Sequence, residues 1–228
     1  MNYSFRFPQT PLKATFPRPY WFQLYITPRL FANPTYLRYN ISYKSQTATL
    51  SKEVNLMNES IKNMLERRSI RAYKKALVPQ ETLDTILKAG EYAPSGMGQQ
   101  GTLMVVTQNP DLVAKLSKMN AAVMGSTSDP FYGAPTVIIV FADSKMGTCV
   151  ENGSLVMGNL MNAAHALDID SCWIHRAREV FDSEEGKALK KEWGVPEEYV
   201  GIGHCVLGYR DCEYPQAKPR KDGFVIRV

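Results

Sequence analysis

The segment from Glu151 to Leu167 limits the possible folds more than any other stretch of this chain. Val156, Leu160, Ala163, Ala164 and Leu167 recur at helical spacing along one side. Leu155, Met157 and Met161 make the other side apolar as well. A helix that is apolar nearly all round has to be covered on every side, by its own domain or by a second subunit. Shortly before it, TVIIVF (136–141) is short, β-branched and apolar throughout, the pattern of a strand buried on both faces.

Further elements alternate around this pair. Asn58 can cap a helix carrying Ile61, Met64 and Leu65, and Pro79 suits the first turn of a second helix with Leu83, Ile86 and Leu87. TLMVVT (102–107), SCWIH (171–175) and GIGHCVLGY (201–209) read as strands, and 109–119 and 183–193 as helices. The alternation predicts three layers, a sheet with helices on both faces. Four strands make a small sheet, so a partner subunit is expected to complete the core.

The 228 residues suffice for one well-packed core, and no run of about 18 apolar residues predicts a membrane-spanning helix. Cys149, Cys172, Cys205 and Cys212 form no C-x-x-C pair and read as reduced thiols of an intracellular protein, which makes the cytoplasm the expected location. The net charge of +5 is misleading. Residues 1–52 carry seven Lys/Arg and no acid, whereas the rest carries 20 basic and 22 acidic residues, a balance of −2. That remainder has no electrostatic case for nucleic acid.

The chain is expected to divide into an extension, 1–56, and a folded domain, 57–228. Six prolines and 12 aromatic residues within 1–52 leave no helical or strand period. Three readings of this segment stay open: a leader that would send the protein to an organelle matrix, a basic aromatic tail that touches RNA, or sequence upstream of a true start at Met57.

Among the candidate chemistries, no nucleophile elbow, phosphate-binding Gly-Lys loop or paired-histidine metal motif is present, and His165, His175 and His204 lack ligand spacing. No metal is expected, and no side chain is singled out as catalytic. Three stretches remain. In MLERRSIRAYKK (64–75), Arg67, Arg68 and Arg71 surround Ser69. Arginine forks and a hydroxyl suit a phosphate, while a helix end whose carbonyls attract cations explains the same run equally well. APSGMGQQ (93–100) is a loop whose glycines allow close approach of a flat ligand. KPRKD (218–222) is a second cationic group.

In this order and spacing, RRSIRAY, APSGMGQQ, the 151–175 helix-to-strand unit, VGIGHCVLGY and KPRKD resemble the FMN-dependent nitroreductase family over roughly Glu59 to Val228. The resemblance implies an α+β fold: a three-layer α/β/α sandwich whose small mixed sheet is completed across a homodimer, with FMN at the subunit interface. It implies that Arg67, Arg68, Ser69 and Arg71 hold the FMN phosphate and ribityl chain, and that Lys218 and Arg220 close on the same phosphate. Pro94, Ser95 and Gly96 match the loop that covers the ring from the opposite subunit, and Gln100 matches the glutamine at its pyrimidine edge. Trp173, Ile174 and His175 match the strand end that approaches the other edge. One departure stands out. Gly98 and Gly101-Thr102 occupy positions where the family often has Asn and Pro-Trp, which puts the tuning of the ring in question.

The implied activity is ping-pong hydride transfer from NADH or NADPH through the flavin to a small oxidant such as a nitroaromatic or quinone. The altered loop keeps a second reading open, a flavin-binding module without turnover. The basic extension keeps a third, an RNA-associated protein.

Overall fold

A computed structural model describes residues 57–228, so the readings of the extension lie outside the described residues. Helices α1 (Glu59–Glu66) and α2 (Gln80–Glu91) come first. They are followed by β1 (Thr102–Thr107), α3 (Pro110–Val123), β2 (Thr136–Asp143) and α4 (Cys149–Ala166). The chain continues through β3 (Asp170–Ile174), α5 (Ala177–Asp182), α6 (Glu184–Glu192) and β4 (Tyr199–Gly208).

The strands lie in the order β1-β2-β4-β3, and every neighbouring pair is antiparallel. The expected mixed sheet is therefore corrected: among the described residues its parallel character is confined to one bridge, Ser69 to Ser171, outside the named strands. The physical reason lies in the connections, none of which carries one strand back beside another in the same direction.

β2 is the central plank, and its residues from Val137 to Ala142 are fully buried. Strand alternation turns Val137, Ile139 and Phe141 toward a layer formed by α3, α5 and α6, and Ile138, Val140 and Ala142 toward α2 and α4. The three-layer arrangement follows from this division. β4 carries one extra residue opposite the Val140/Phe141 step, where Val140 faces Gly203 and Phe141 faces Gly201.

α4 behaves as half of its composition requires. Val156, Met157, Leu160, Met161 and Ala164 are buried against the sheet, whereas Val150 and Leu155 remain 51% and 45% exposed. The apolar residues Ile61, Met64 and Leu65 of α1 are exposed too.

α3 begins where sequence chemistry places it. Asn109 Oδ1 accepts from the backbone N–H groups of Asp111 and Leu112, both at 3.0 Å, and Pro110 occupies the first turn. Asn109→Ala is expected to lower stability by about 1 kcal/mol, read as a lower denaturant midpoint at unchanged m-value.

Candidate functional site

The RRSIR run leaves the end of α1 as extended chain. Ile70 N–H donates to Ser171 O at 3.1 Å, which fastens the run beside β3. Ile70 is fully buried in the core, while Ser69 is half-buried and Arg71 exposed, so alternation separates the apolar residue from the polar ones. Burial pushes the Cys172 thiol up, and Arg71, the Ser69 hydroxyl and Arg67 pull it back. Burial likewise pushes the Cys205 thiol on β4 up to about 12, against a weaker pull from Arg67.

The arginines differ in what they touch. Arg68 Nη1 donates to Leu65 O at 2.7 Å and to Arg67 O at 2.8 Å, so this side chain satisfies carbonyls at the end of α1. The side chains of Arg67 and Arg71 make no hydrogen bond or ion pair with a described residue, and Arg67 Nη1 is buried without a partner. The Ser171 hydroxyl and Arg68 Nε are also buried and unpartnered. Three buried donors without a partner thus lie on the extended run and on the β3 residue it bridges.

The APSGMGQQ loop is held in shape from within the chain. Its Gly96 N–H donates to Asn152 Oδ1 of α4 at 2.9 Å, and Gln100 N–H donates to Ser95 Oγ at 3.0 Å. Gly96–Gly98 forms a single 3-10 turn, and Met97 and Gln100 adopt positive φ of 51° and 54°. Met97 is 90% exposed at the tip, and Pro94, Gly98 and Gln100 are exposed beside it. Among the described residues no hydrogen bond or ion pair joins this loop to the arginine run.

Trp173, Ile174 and His175 continue along β3 from the Ser69–Ser171 bridge, so they share a sheet edge with the arginines. Trp173 is half-buried, Ile174 is buried, and His175 is exposed. A side chain at Gly203 on β4 would run into the Trp173 ring, so glycine is required there. Lys218 and Arg220 are exposed and have no hydrogen bond or ion pair to a described residue. The chain leading to them does pass the arginine run: Arg210 bridges to Tyr73, and Tyr214 Oη donates to Glu66 O at 2.8 Å.

A cavity of about 910 Å³ lies elsewhere, between α3 and segment 126–135, lined by Val113, Ser117, Ala121, Phe131 and Pro135. Of the three stretches singled out by sequence only Lys75, at the end of the 64–75 run, borders it, and none of the residues matched to the flavin site does. Its carboxylate, Asp129, already accepts from the Ser117 hydroxyl and from the Phe131 and Gly133 N–H groups.

The nitroreductase family model matches residues 64–128 and 121–209. This chain belongs to the nitroreductase family. A provisionally named NADH dehydrogenase/NAD(P)H nitroreductase of Archaeoglobus fulgidus is 32% identical over 159 residues, 67% of this chain and 86% of that protein. A nitroreductase with bound FMN from Bacteroides fragilis superposes with a TM-score of 0.70 at 30% identity, covering 75% of this chain and all of that one. A second FMN-bound nitroreductase, from Desulfitobacterium hafniense, gives 0.68 at 27% identity with the same coverage.

Sequence reasoning overlooked three polar residues of this chain: Asn152, which holds the Gly96 loop, and the pair Asn120 and Arg176. Asn120 and Asn152 are buried at helical positions that otherwise pack apolar residues, and a polar residue interrupting an apolar stripe is the signal that could have found them.

Proposed function

We propose that the chain is an FMN-dependent NAD(P)H oxidoreductase that reduces a small oxidant, a nitroaromatic or a quinone. The observation that carries this reading is the buried, unpartnered donors on Arg67 and Ser171, beside Ser69 and the exposed Arg71, in a chain that belongs to the nitroreductase family. A buried guanidinium edge without an acceptor is costly, and a phosphate is the acceptor whose geometry it matches. The donor set therefore fits the phosphate end of FMN. Arg67, Ser69 and Arg71 would hold that phosphate, with Lys218 and Arg220 reaching it from the tail. Arg68 assists by closing α1 and placing Arg67.

Residues 173–175 would lie along one edge of the ring, where main-chain groups of β3 orient it. Pro94, Ser95, Gly96 and Gln100 would cover the ring of a second copy. Their exposed loop is fastened to Asn152 and has no hydrogen bond or ion pair to the arginines among the described residues, which supports that division of labour. The exposed apolar residues of α1 and α4 support a homodimer that buries them. When bound, FMN supplies the ability to accept a hydride from NADH or NADPH and deliver it to the oxidant. The protein's part is to bind, to orient and to exclude water. Residues 57–228 form the FMN-binding domain in this reading. No helix among the described residues is long and apolar enough to cross a membrane, and a cytoplasmic location is part of the proposal.

The test is a visible absorption spectrum of the purified full-length protein, before and after NADH or NADPH is added without oxygen. Flavin bands that bleach are expected. A protein that is colourless and takes up no added FMN would overturn the proposal. Bands that persist with both reductants would replace it by a flavin-binding module without turnover.

A further inference from the structure

Arg176 stands just after β3, at the residue that opens α5, with φ of 72° and ψ of 15°. This left-handed conformation is one that glycine adopts freely and that costs a side-chain-bearing residue about 1 kcal/mol or more. Strain of this kind persists only where the surroundings enforce it, and here they do. Arg176 Nε donates to Asn120 Oδ1 at 3.1 Å, and Asn120 Nδ2 donates to His175 O at 2.7 Å. Asn120 itself is fully buried on α3. One amide therefore grips both the backbone of the corner and the root of the guanidinium.

The outer edge of that guanidinium is free. Neither Nη of Arg176 has a partner among the described residues, and neither belongs to the buried unpartnered atoms, so both reach solvent. No carboxylate of the described residues pairs with it. Arg176 follows directly on Trp173, Ile174 and His175, the stretch assigned above to the edge of the ring. A cation that is unpaired, oriented and held at the cost of backbone strain has a use that glycine would not serve.

We propose that Arg176, anchored by Asn120, is a specificity residue that recognises an anionic group on the oxidant, so that the preferred substrates are carboxylate-bearing or sulfonate-bearing aromatic acceptors. The proposal rests on the FMN reading of the same site. A planar fork fixed through Nε presents its two Nη groups to a carboxylate in bidentate fashion, and such charge-assisted bonds are the strong ones.

The experiment uses the full-length FMN-loaded protein and two variants, Arg176→Gly and Arg176→Lys. Glycine removes the charge while relaxing the backbone, so loss of folding is not expected to obscure the result. The first readout is calorimetric binding of benzoate, a non-reducible probe. The second is the ratio of kcat/KM for 4-nitrobenzoate to that for its methyl ester, which differs in charge. Arg176→Gly is expected to weaken benzoate binding about tenfold or more and to lower the ratio by a similar factor, with partial recovery in Arg176→Lys.

Unchanged benzoate affinity and an unchanged ratio in a flavin-retaining Arg176→Gly variant would overturn the proposal while leaving the FMN reading intact. An effect confined to NADPH over NADH would also overturn it, because the recognised anion would then be the 2′-phosphate of the reductant. Failure of the unsubstituted protein to take up FMN would instead strike the reading beneath it.

Discussion

Replacing Arg67 and Arg71 together with alanine is expected to weaken FMN binding by about 10²- to 10⁴-fold, measured by titrating flavin fluorescence against the apoprotein. The size follows from losing two charge-assisted hydrogen bonds of roughly 1.5–3 kcal/mol each, at about 1.4 kcal/mol per factor of ten. Stability should hardly change, because neither side chain makes a hydrogen bond or ion pair within the described chain, and Arg67 Nη1 is buried without a partner even before substitution. Arg68→Ala provides the contrast. It removes the donor to Leu65 O and Arg67 O, so it should lower the melting temperature and affect FMN affinity less. A double variant that keeps its flavin with unchanged affinity would show that the phosphate is held elsewhere.

This division among the arginines shows where reading the sequence stops. Composition presents Arg67, Arg68 and Arg71 as equals, and two explanations, a phosphate and a helix end, compete for all of them. The fold divides the cluster: Arg68 serves the helix end, while Arg67 and Arg71 are left uncommitted. Local pattern was enough for the elements with a strong period. The strand expected at 102–107 is β1, and TVIIVF lies within β2. The helix expected at 151–167 is α4, Cys149–Ala166.

α5 was not foreseen because six residues are too few to display a helical period, and its start depends on the left-handed Arg176, which nothing local announces. The apolar surround of α4 predicts cover on every side, by its own domain or by a second subunit. Within one chain it is buried against the sheet and leaves Val150 and Leu155 open, which is the other half of the same rule. The hydrogen bonds of Asn120 and Asn152 span 55 and 56 residues, respectively, and depend on tertiary packing alone.

His204 provides the second large effect, on stability against pH. It sits on β4, fully buried, with its ring centroid 5.2 Å from that of Phe131 and 5.9 Å from that of Phe181. Burial pushes its pKa down from 6.5 to about 3, with the Arg176 charge pushing the same way and a backbone hydrogen bond at Ile174 opposing. The imidazole is therefore neutral in the folded protein at neutral pH. Above pH 6.5 neither the folded nor the unfolded state holds the extra proton. Between 6.5 and about 3 the unfolded chain binds it and the folded chain does not, so stability is lost as pH falls through that window. The slope approaches about 1.4 kcal/mol per pH unit once the unfolded histidine is fully charged. Urea midpoints measured from pH 7 to pH 4 should fall accordingly. The exposed carboxylates of Glu184 and Glu198, held low chiefly by their lysine partners, act in the same direction but are screened by solvent. A His204→Leu variant should flatten the curve between pH 6 and 4, and His204→Gln supplies the same comparison if the leucine variant does not fold. A slope that survives both substitutions would assign the acid sensitivity to surface carboxylates and remove His204 from it.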